Sequence, residues 1–240
     1  VLTADETTSF QNNGFAVLGP ALKSGELPAL NAAAAELLGL DGSPSSLPED
    51  HLMRAGAQGH VRVALHVCHR SEAFRAQALD PGISSAMAEL FGREAAVLTS
   101  LLFHKPPRVG EPLEPHQDLP YYPYLGPESL ITSWTALTEA SEANGCVHYL
   151  AQSHRGQIDH RDTGGQQALD IDPAMLEEFA DVAVPLAPGE SCVHHGLTVH
   201  YSGANHTAWP RIGVAVLYVP ADAGVTLDDF PYPLLHPGRT

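Results

Sequence analysis

The chain is short of cysteine, of lysine and of long apolar runs, and each shortage excludes something. Its three cysteines, Cys68, Cys146 and Cys192, lie far apart and form no Cys-x-x-Cys pair. An odd, scattered set fits neither a disulfide framework nor a thiolate zinc site, so buried free thiols in a reducing compartment are the expectation. Lysine occurs only at Lys23 and Lys105, and 12 basic residues face 28 acidic ones, for a net charge of −16. Nucleic-acid binding needs a basic footprint, so that class is set aside, and anionic lipid surfaces are disfavoured on the same ground. No run of about 18 uninterrupted apolar residues occurs, so no membrane-spanning helix is expected. The opening Val1-Leu2-Thr3 shows no basic-then-apolar leader, and the expected location is the cytoplasm.

What is present suits a folded domain. With 240 residues, 44% of them hydrophobic, the length and composition fit a single domain over 1–240 with a sizeable core. Thr3-Ala4-Asp5-Glu6 reads as a capping box that starts a helix ending near residue 12, before Gly14. A short strand over 15–18 follows. Leu22, Leu27, Leu30, Ala34, Leu37 and Leu38 then recur at helical spacing up to Gly39. Residues 41–59 read as a loop, 62–67 as a strand, and 71–79 and 83–91 as two short helices. From 95 onward the pattern turns to strands, over 96–103, 130–137, 147–150, 182–186, 191–195 and 212–219, with one short helix over 175–179. A helical part over about 1–94 and a β core over about 95–220 predict an antiparallel barrel or jelly roll flanked by helices.

Within that β core, His116-Gln117-Asp118 is answered by His200 and then by Arg211. Two imidazoles and one carboxylate can grip one face of an octahedral Fe(II) and leave three positions open. Residues two apart on an extended strand project from the same face, so one strand could supply both His116 and Asp118. Taken alone, that pair fits a surface turn better than a metal site. His200, Ser202 and Arg211 reverse the balance because their offsets match those of a known family that the chain resembles. The chain has 14 histidines, so chance ones are expected. Of His194 and His195, alternation should turn one inward, to support the ligands or to pack. His148, His154, His160 and His206 read as exposed or structural. Tyr121, Tyr122 and Tyr124 fit a substrate entrance and a packed Pro-rich loop equally well, and Gly145 and Gly196 read as turn residues.

The order of several short blocks resembles the phytanoyl-CoA dioxygenase (PhyH) family of Fe(II)/2-oxoglutarate-dependent oxygenases. The blocks are His104-Lys105-Pro106-Pro107, His116-Gln117-Asp118, Trp134-Thr135-Ala136-Leu137, Asn144-Gly145-Cys146, Ser153-His154-Arg155-Gly156 and the run from Gly196 to Asn205. The likeness is close over 95–220 and looser before it. It implies a mainly β fold with flanking helices, a double-stranded β-helix (jelly roll, cupin-like). It also implies Fe(II) as cofactor, 2-oxoglutarate as cosubstrate and O2 as oxidant. Carried over by position, His116, Asp118 and His200 would hold the iron. Arg211, helped by Ser202, would hold the far carboxylate of 2-oxoglutarate, and Trp134 and Leu101 would line its pocket. Arg62 is the nearest match to a further basic residue that the family uses. Related halogenases carry a small residue where Asp118 stands, so oxygen insertion rather than halogenation is implied.

The expected activity is hydroxylation of a small molecule, such as an amino-acid derivative or a natural-product intermediate, with release of succinate and CO2. The same cofactors could instead serve desaturation, epoxidation, cyclisation or epimerisation. A zinc-dependent hydrolase using the same ligands, and a non-catalytic jelly roll that binds a metabolite, are the readings from other classes. Substrate choice is expected in the loops at 41–60, 106–115, 121–128 and 156–172.

Overall fold

Thr3 caps the first helix as its sequence predicts. Its hydroxyl accepts the Glu6 N–H, and the Glu6 carboxylate accepts the Thr3 N–H in return. In the computed structural model, which describes residues 2–23, 25–56, 59–162 and 169–238, this helix, α1, spans Ala4–Asn13 and ends at Gly14 in the left-handed conformation. Strand β1 (Phe15–Pro20) and helix α2 (Glu26–Leu38) follow. Strands β2 (Leu52–Ala55) and β3 (His60–Leu65) and helices α3 (Glu72–Ala78) and α4 (Pro81–Phe91) complete the N-terminal part.

The remaining strands are β4 (Ala95–Lys105), β5 (Leu113–His116), β6 (Ile131–Ala136), β7 (Val147–Ala151) and β8 (His160–Asp162). After them come β9 (Leu169–Ile171), β10 (Ala180–Val184), β11 (Glu190–His195), β12 (His200–Ser202) and β13 (Arg211–Pro220). They form a seven-stranded sheet ordered β1-β11-β6-β13-β4-β3-β2, a four-stranded sheet ordered β10-β7-β12-β5, and the hairpin β8-β9. Every named pairing is antiparallel. The fold is a jelly-roll double-stranded β-helix with helices packed outside the large sheet, as the sequence predicts.

Strand β13 shows why the core has two halves. All ten of its residues are buried, as expected for a strand covered on both faces. Ile212, Val214, Val216 and Tyr218 join Leu30, Leu37, Phe74 and Met87 of the helices in one cluster. Ala215, Leu217 and Val219 turn the other way and join Trp134, Tyr149 and Cys146 between the two sheets. The second face is the one that meets the site.

Three expectations need correction. Residues 41–59 are not simply a loop: a 3₁₀ turn at Glu49–His51 leads into β2, which pairs with β3. The strands expected at 15–18 and 62–67 are present as β1 and β3, but the second runs His60–Leu65 and gives way to a 3₁₀ turn at Val67–His69. The helix expected over 175–179 is a single 3₁₀ turn, Pro173–Met175, started by the Asp172 side chain accepting the Ala174 N–H. Parts of two expected specificity loops, 57–58 and 163–168, lie outside the described residues. No helix among the described residues is long and apolar enough to cross a membrane.

Candidate active site

Strands β5 and β12 lie side by side, and their register sets His116 directly opposite His200. The two imidazole rings have centroids 4.2 Å apart. Asp118 does not share a strand with His116, as its spacing suggests. Strand β5 ends at His116, and Asp118 adopts helical dihedrals (φ −72°, ψ −40°) at the head of the 3₁₀ turn Leu119–Tyr121. That turn, not the pleat alone, swings the carboxylate back toward the imidazoles. Asp118 Oδ1 lies 3.7 Å from both His116 Nε2 and His200 Nε2. Ligand atoms from all three residues fall within 4.8 Å of one another.

The protonation of this trio suits a divalent ion. His116 Nδ1 donates to Glu114 O at 2.8 Å and His200 Nδ1 to Thr198 O at 3.0 Å. Each Nε2 is thereby left with its lone pair toward Asp118, the arrangement that backbone carbonyls impose on ligand imidazoles. Burial, and then the neighbouring His200, lower the His116 pKa to about 3. Burial, and then His194, lower that of His200 to about 4. Burial pushes the Asp118 carboxyl up, but His200, a hydrogen bond from His194, and His116 together pull it well below the usual range. Two neutral imidazoles and one carboxylate are therefore ready at neutral pH. This donor set fits a ferrous ion.

The cavity leading away from these atoms is lined by Trp134, Leu101, Ser202, Arg211, Lys105 and Arg62, among others. Every residue the sequence assigns to metal or cosubstrate is thus gathered around one space. It measures about 620 Å³ with its open mouth included. Arg211 opens β13, is only 2% exposed, and lies with its guanidinium carbon 5.1 Å from the centre of the Trp134 ring. Its Nε and Nη2 both donate to Gly145 O. One edge of the guanidinium is therefore already used, and a carboxylate would be met end-on through Nη1 and Nη2. Burial lowers the Arg211 pKa to about 10, so the cation persists at neutral pH.

Gly145 is more than a turn residue. At φ +85° any side chain is strained, and a Cβ there would lie 2.3 Å from Gly203 O. Only glycine lets this carbonyl reach Arg211 while β12 passes so closely.

Several contributors escaped the sequence. Lys105 Nζ donates to Glu111 O, Ser202 O and Gly203 O, tying the end of β4 to the end of β12. Burial, then Arg211 and Arg62, push its pKa down to about 6. Gln117 is wholly buried. Its amide donates to Gly156 O and Leu197 O and accepts the Ile158 N–H, so it ties three loops together between the two ligands. A single buried polar residue inside a short motif gives no periodic signal that could have revealed either role.

Other residues fall where alternation or exposure would put them. His194 points inward, with Nε2 3.0 Å from Asp118 Oδ2, while His195 pairs outward with Glu128 at 3.2 Å. His148 stacks on Tyr201 and bonds Asp181, and His154 reaches Gln11 O. His160 accepts the Gln117 N–H, and His206 is exposed. Tyr121 stands edge-on to His116 at 6.0 Å, whereas Tyr122 and Tyr124 pack against the core between the sheets. Arg62 donates to Pro112 O at 2.6 Å.

Comparison with known proteins gives a consistent picture. The family model described as Phytanoyl-CoA dioxygenase (PhyH) matches residues 10–213. A probable phytanoyl-CoA dioxygenase of Caenorhabditis elegans is 26% identical over 156 residues, covering 59% of this chain and 49% of that relative. The peroxisomal phytanoyl-CoA dioxygenase of Rattus norvegicus is 24% identical over 242 residues, covering 92% of this chain and 70% of its own length. The chain thus spans about half of the first relative and more of the second. Among solved structures, the epimerase SnoN in complex with Fe3+, alpha ketoglutarate and nogalamycin RO superposes with a TM-score of 0.76 at 24% identity, covering 98% of this chain and 92% of that one.

Proposed function

Because this chain belongs to the phytanoyl-CoA dioxygenase family, a family of 2-oxoglutarate-dependent dioxygenases, we propose that it oxidises a small molecule with Fe(II), 2-oxoglutarate and O2. The observation that carries this reading is the convergence of His116, Asp118 and His200 beside a buried arginine in one cavity. His116 and His200 would hold the metal through Nε2, and Asp118 would hold it through Oδ1. A ferrous ion held there would supply the oxidising chemistry by which O2 converts 2-oxoglutarate to succinate and CO2, with one oxygen atom left for the substrate C–H bond.

The remaining work is done by this chain's own groups. Arg211, still cationic, receives the far carboxylate of 2-oxoglutarate through its free guanidinium end, and Ser202 adds a hydroxyl beside it. Trp134 covers the guanidinium and, with Leu101 and Leu217, keeps that end of the cavity dry, which strengthens the charge pairing. Asp118 fills the position that a halide would need, so hydroxylation is favoured over halogenation.

The substrate fits a small molecule, such as an amino-acid derivative or a natural-product intermediate, better than a coenzyme A thioester. The chain carries a net charge of −16, and the one lysine of the cavity is engaged by three carbonyls. Lys105 is therefore not a loose cation for a string of phosphates. Screening succinate release against candidate metabolites tests the proposal: iron-dependent succinate formation, stimulated by one metabolite class, is expected. Absence of 2-oxoglutarate consumption with iron and oxygen supplied would overturn it.

A further inference from the structure

Asp118 has two equivalent oxygens to offer a metal, and the fold has already engaged one of them. Oδ2 accepts the Thr132 hydroxyl at 2.7 Å and the His194 Nε2–H at 3.0 Å. Oδ1 is the oxygen that faces both His116 and His200. Thr132 and His194 are direct register partners on β6 and β11, so their side chains leave the same face of the sheet and reach the carboxylate together.

His194 is itself held in place. Tyr149 Oη lies 3.0 Å from His194 Nδ1 and 3.1 Å from Cys192 Sγ. With Nε2–H given to Asp118, Nδ1 is left to accept the Tyr149 hydroxyl hydrogen, and the Tyr149 oxygen can accept the thiol S–H; this assignment follows from the hydrogen-bond pattern. Tyr149 is fully buried and stacks on Phe15 at 4.7 Å, so it has little freedom to release its partner.

Taking His116, Asp118 and His200 as metal ligands, we propose that Thr132 and His194 are positioning residues that restrict Asp118 to ligation through Oδ1 alone. Tyr149 sets the orientation of His194 that this requires. A carboxylate free to turn can chelate an ion with both oxygens. Doing so here would close one of the three positions that a two-histidine, one-carboxylate site keeps open for cosubstrate and oxygen. Two donors on Oδ2 remove that option: chelation would have to break two hydrogen bonds to a charged group. The polar row Thr132–His194 in an otherwise apolar region of sheet then has a reason to exist.

Co(II), whose visible absorption reports coordination, is the probe. The full-length protein and its Thr132→Val, Thr132→Ser, His194→Ala and His194→Gln forms are titrated anaerobically, with His206→Ala as an exposed control. Thr132→Val and His194→Ala are expected to weaken Co(II) binding about 10–100-fold, the usual effect of losing a residue that orients a ligand, and to change the band shape. Thr132→Ser and His194→Gln, which keep a donor, should recover both readouts. Thr132→Val and His194→Ala proteins that fold by circular dichroism, yet match the unmodified protein in affinity and spectrum, would overturn the proposal. If His194→Ala fails to fold, the Thr132→Val and Thr132→Ser pair decides it alone. An unmodified chain that binds no Co(II) would instead remove the metal-centre reading, and the positioning role with it.

Discussion

His116 and His200 are register partners on antiparallel strands, and both turn Nε2 toward the same oxygen of Asp118, 3.7 Å away. Two segments far apart in sequence are therefore brought together by backbone pairing. Arg211 is set by the same economy of strands, since it begins β13 opposite Lys105 at the end of β4.

Arg211 bears on cosubstrate affinity. Arg211→Ala removes the buried cation and also leaves Gly145 O without its donors. Loss of charge-assisted hydrogen bonds of about 1.5–3 kcal/mol should raise the KM for 2-oxoglutarate about 10–100-fold, with a smaller change in kcat. Arg211→Lys should not restore it, because an ammonium cannot serve Gly145 and a carboxylate in the same planar fork. Steady-state kinetics at varied 2-oxoglutarate checks this; an unchanged KM counts against the role.

Gly213 bears on the same pocket from behind. A Cβ at this position in β13 would lie 2.1 Å from Trp134 Cζ2 and 2.7 Å from Cε2. Gly213→Ala must push the indole off Arg211, and overpacking of this kind costs about 1–3 kcal/mol. A lower melting temperature together with a raised KM for 2-oxoglutarate is expected. A variant that melts and binds like the unmodified protein would contradict the packing described.

His66 bears on acid stability, away from the metal ligands. Its Nδ1 lies 2.9 Å from the Thr99 hydroxyl, and its ring packs on Phe230 and Tyr232. Burial, then the charges of His51, His69 and Arg70, with Asp50 opposing, lower its pKa to about 4. Below about pH 6.5, the ordinary value, the unfolded chain binds a proton that the folded chain refuses until about pH 4. Stability should therefore fall across that window, by up to about 1.4 kcal/mol per pH unit from this one imidazole, and be unaffected by it above pH 6.5. His66 has φ 59°, a conformation that asparagine tolerates. In urea unfolding of metal-free protein between pH 7 and 4, His66→Asn should show the shallower acid slope. Equal slopes would contradict the burial described.

The sequence revealed the long strands and the ligand set for different reasons. Strands such as β4, β6 and β13 carry continuous β-branched or apolar runs, which periodicity reads directly. The candidate ligands were legible because several blocks keep family order, not because any one of them is distinctive. What stayed hidden is short or polar. Strand β12 is three residues long, β5 contains Pro115, and β8 and β9 carry little apolar alternation, so none has a hydrophobic signature. Asp118 follows its strand rather than lying on it, because the Leu119–Tyr121 turn begins there. Thr132, Gln117 and Lys105 act through hydrogen bonds to distant backbone and side chains, and such partners become visible only once the chain is folded.

Anaerobic titration of the protein with Fe(II) and 2-oxoglutarate tests the metal centre most directly. A weak visible charge-transfer band should develop in the unmodified protein and be absent from His116→Ala. A featureless spectrum in both, or an equal band in both, would contradict the assignment of His116, Asp118 and His200 to a single ferrous ion.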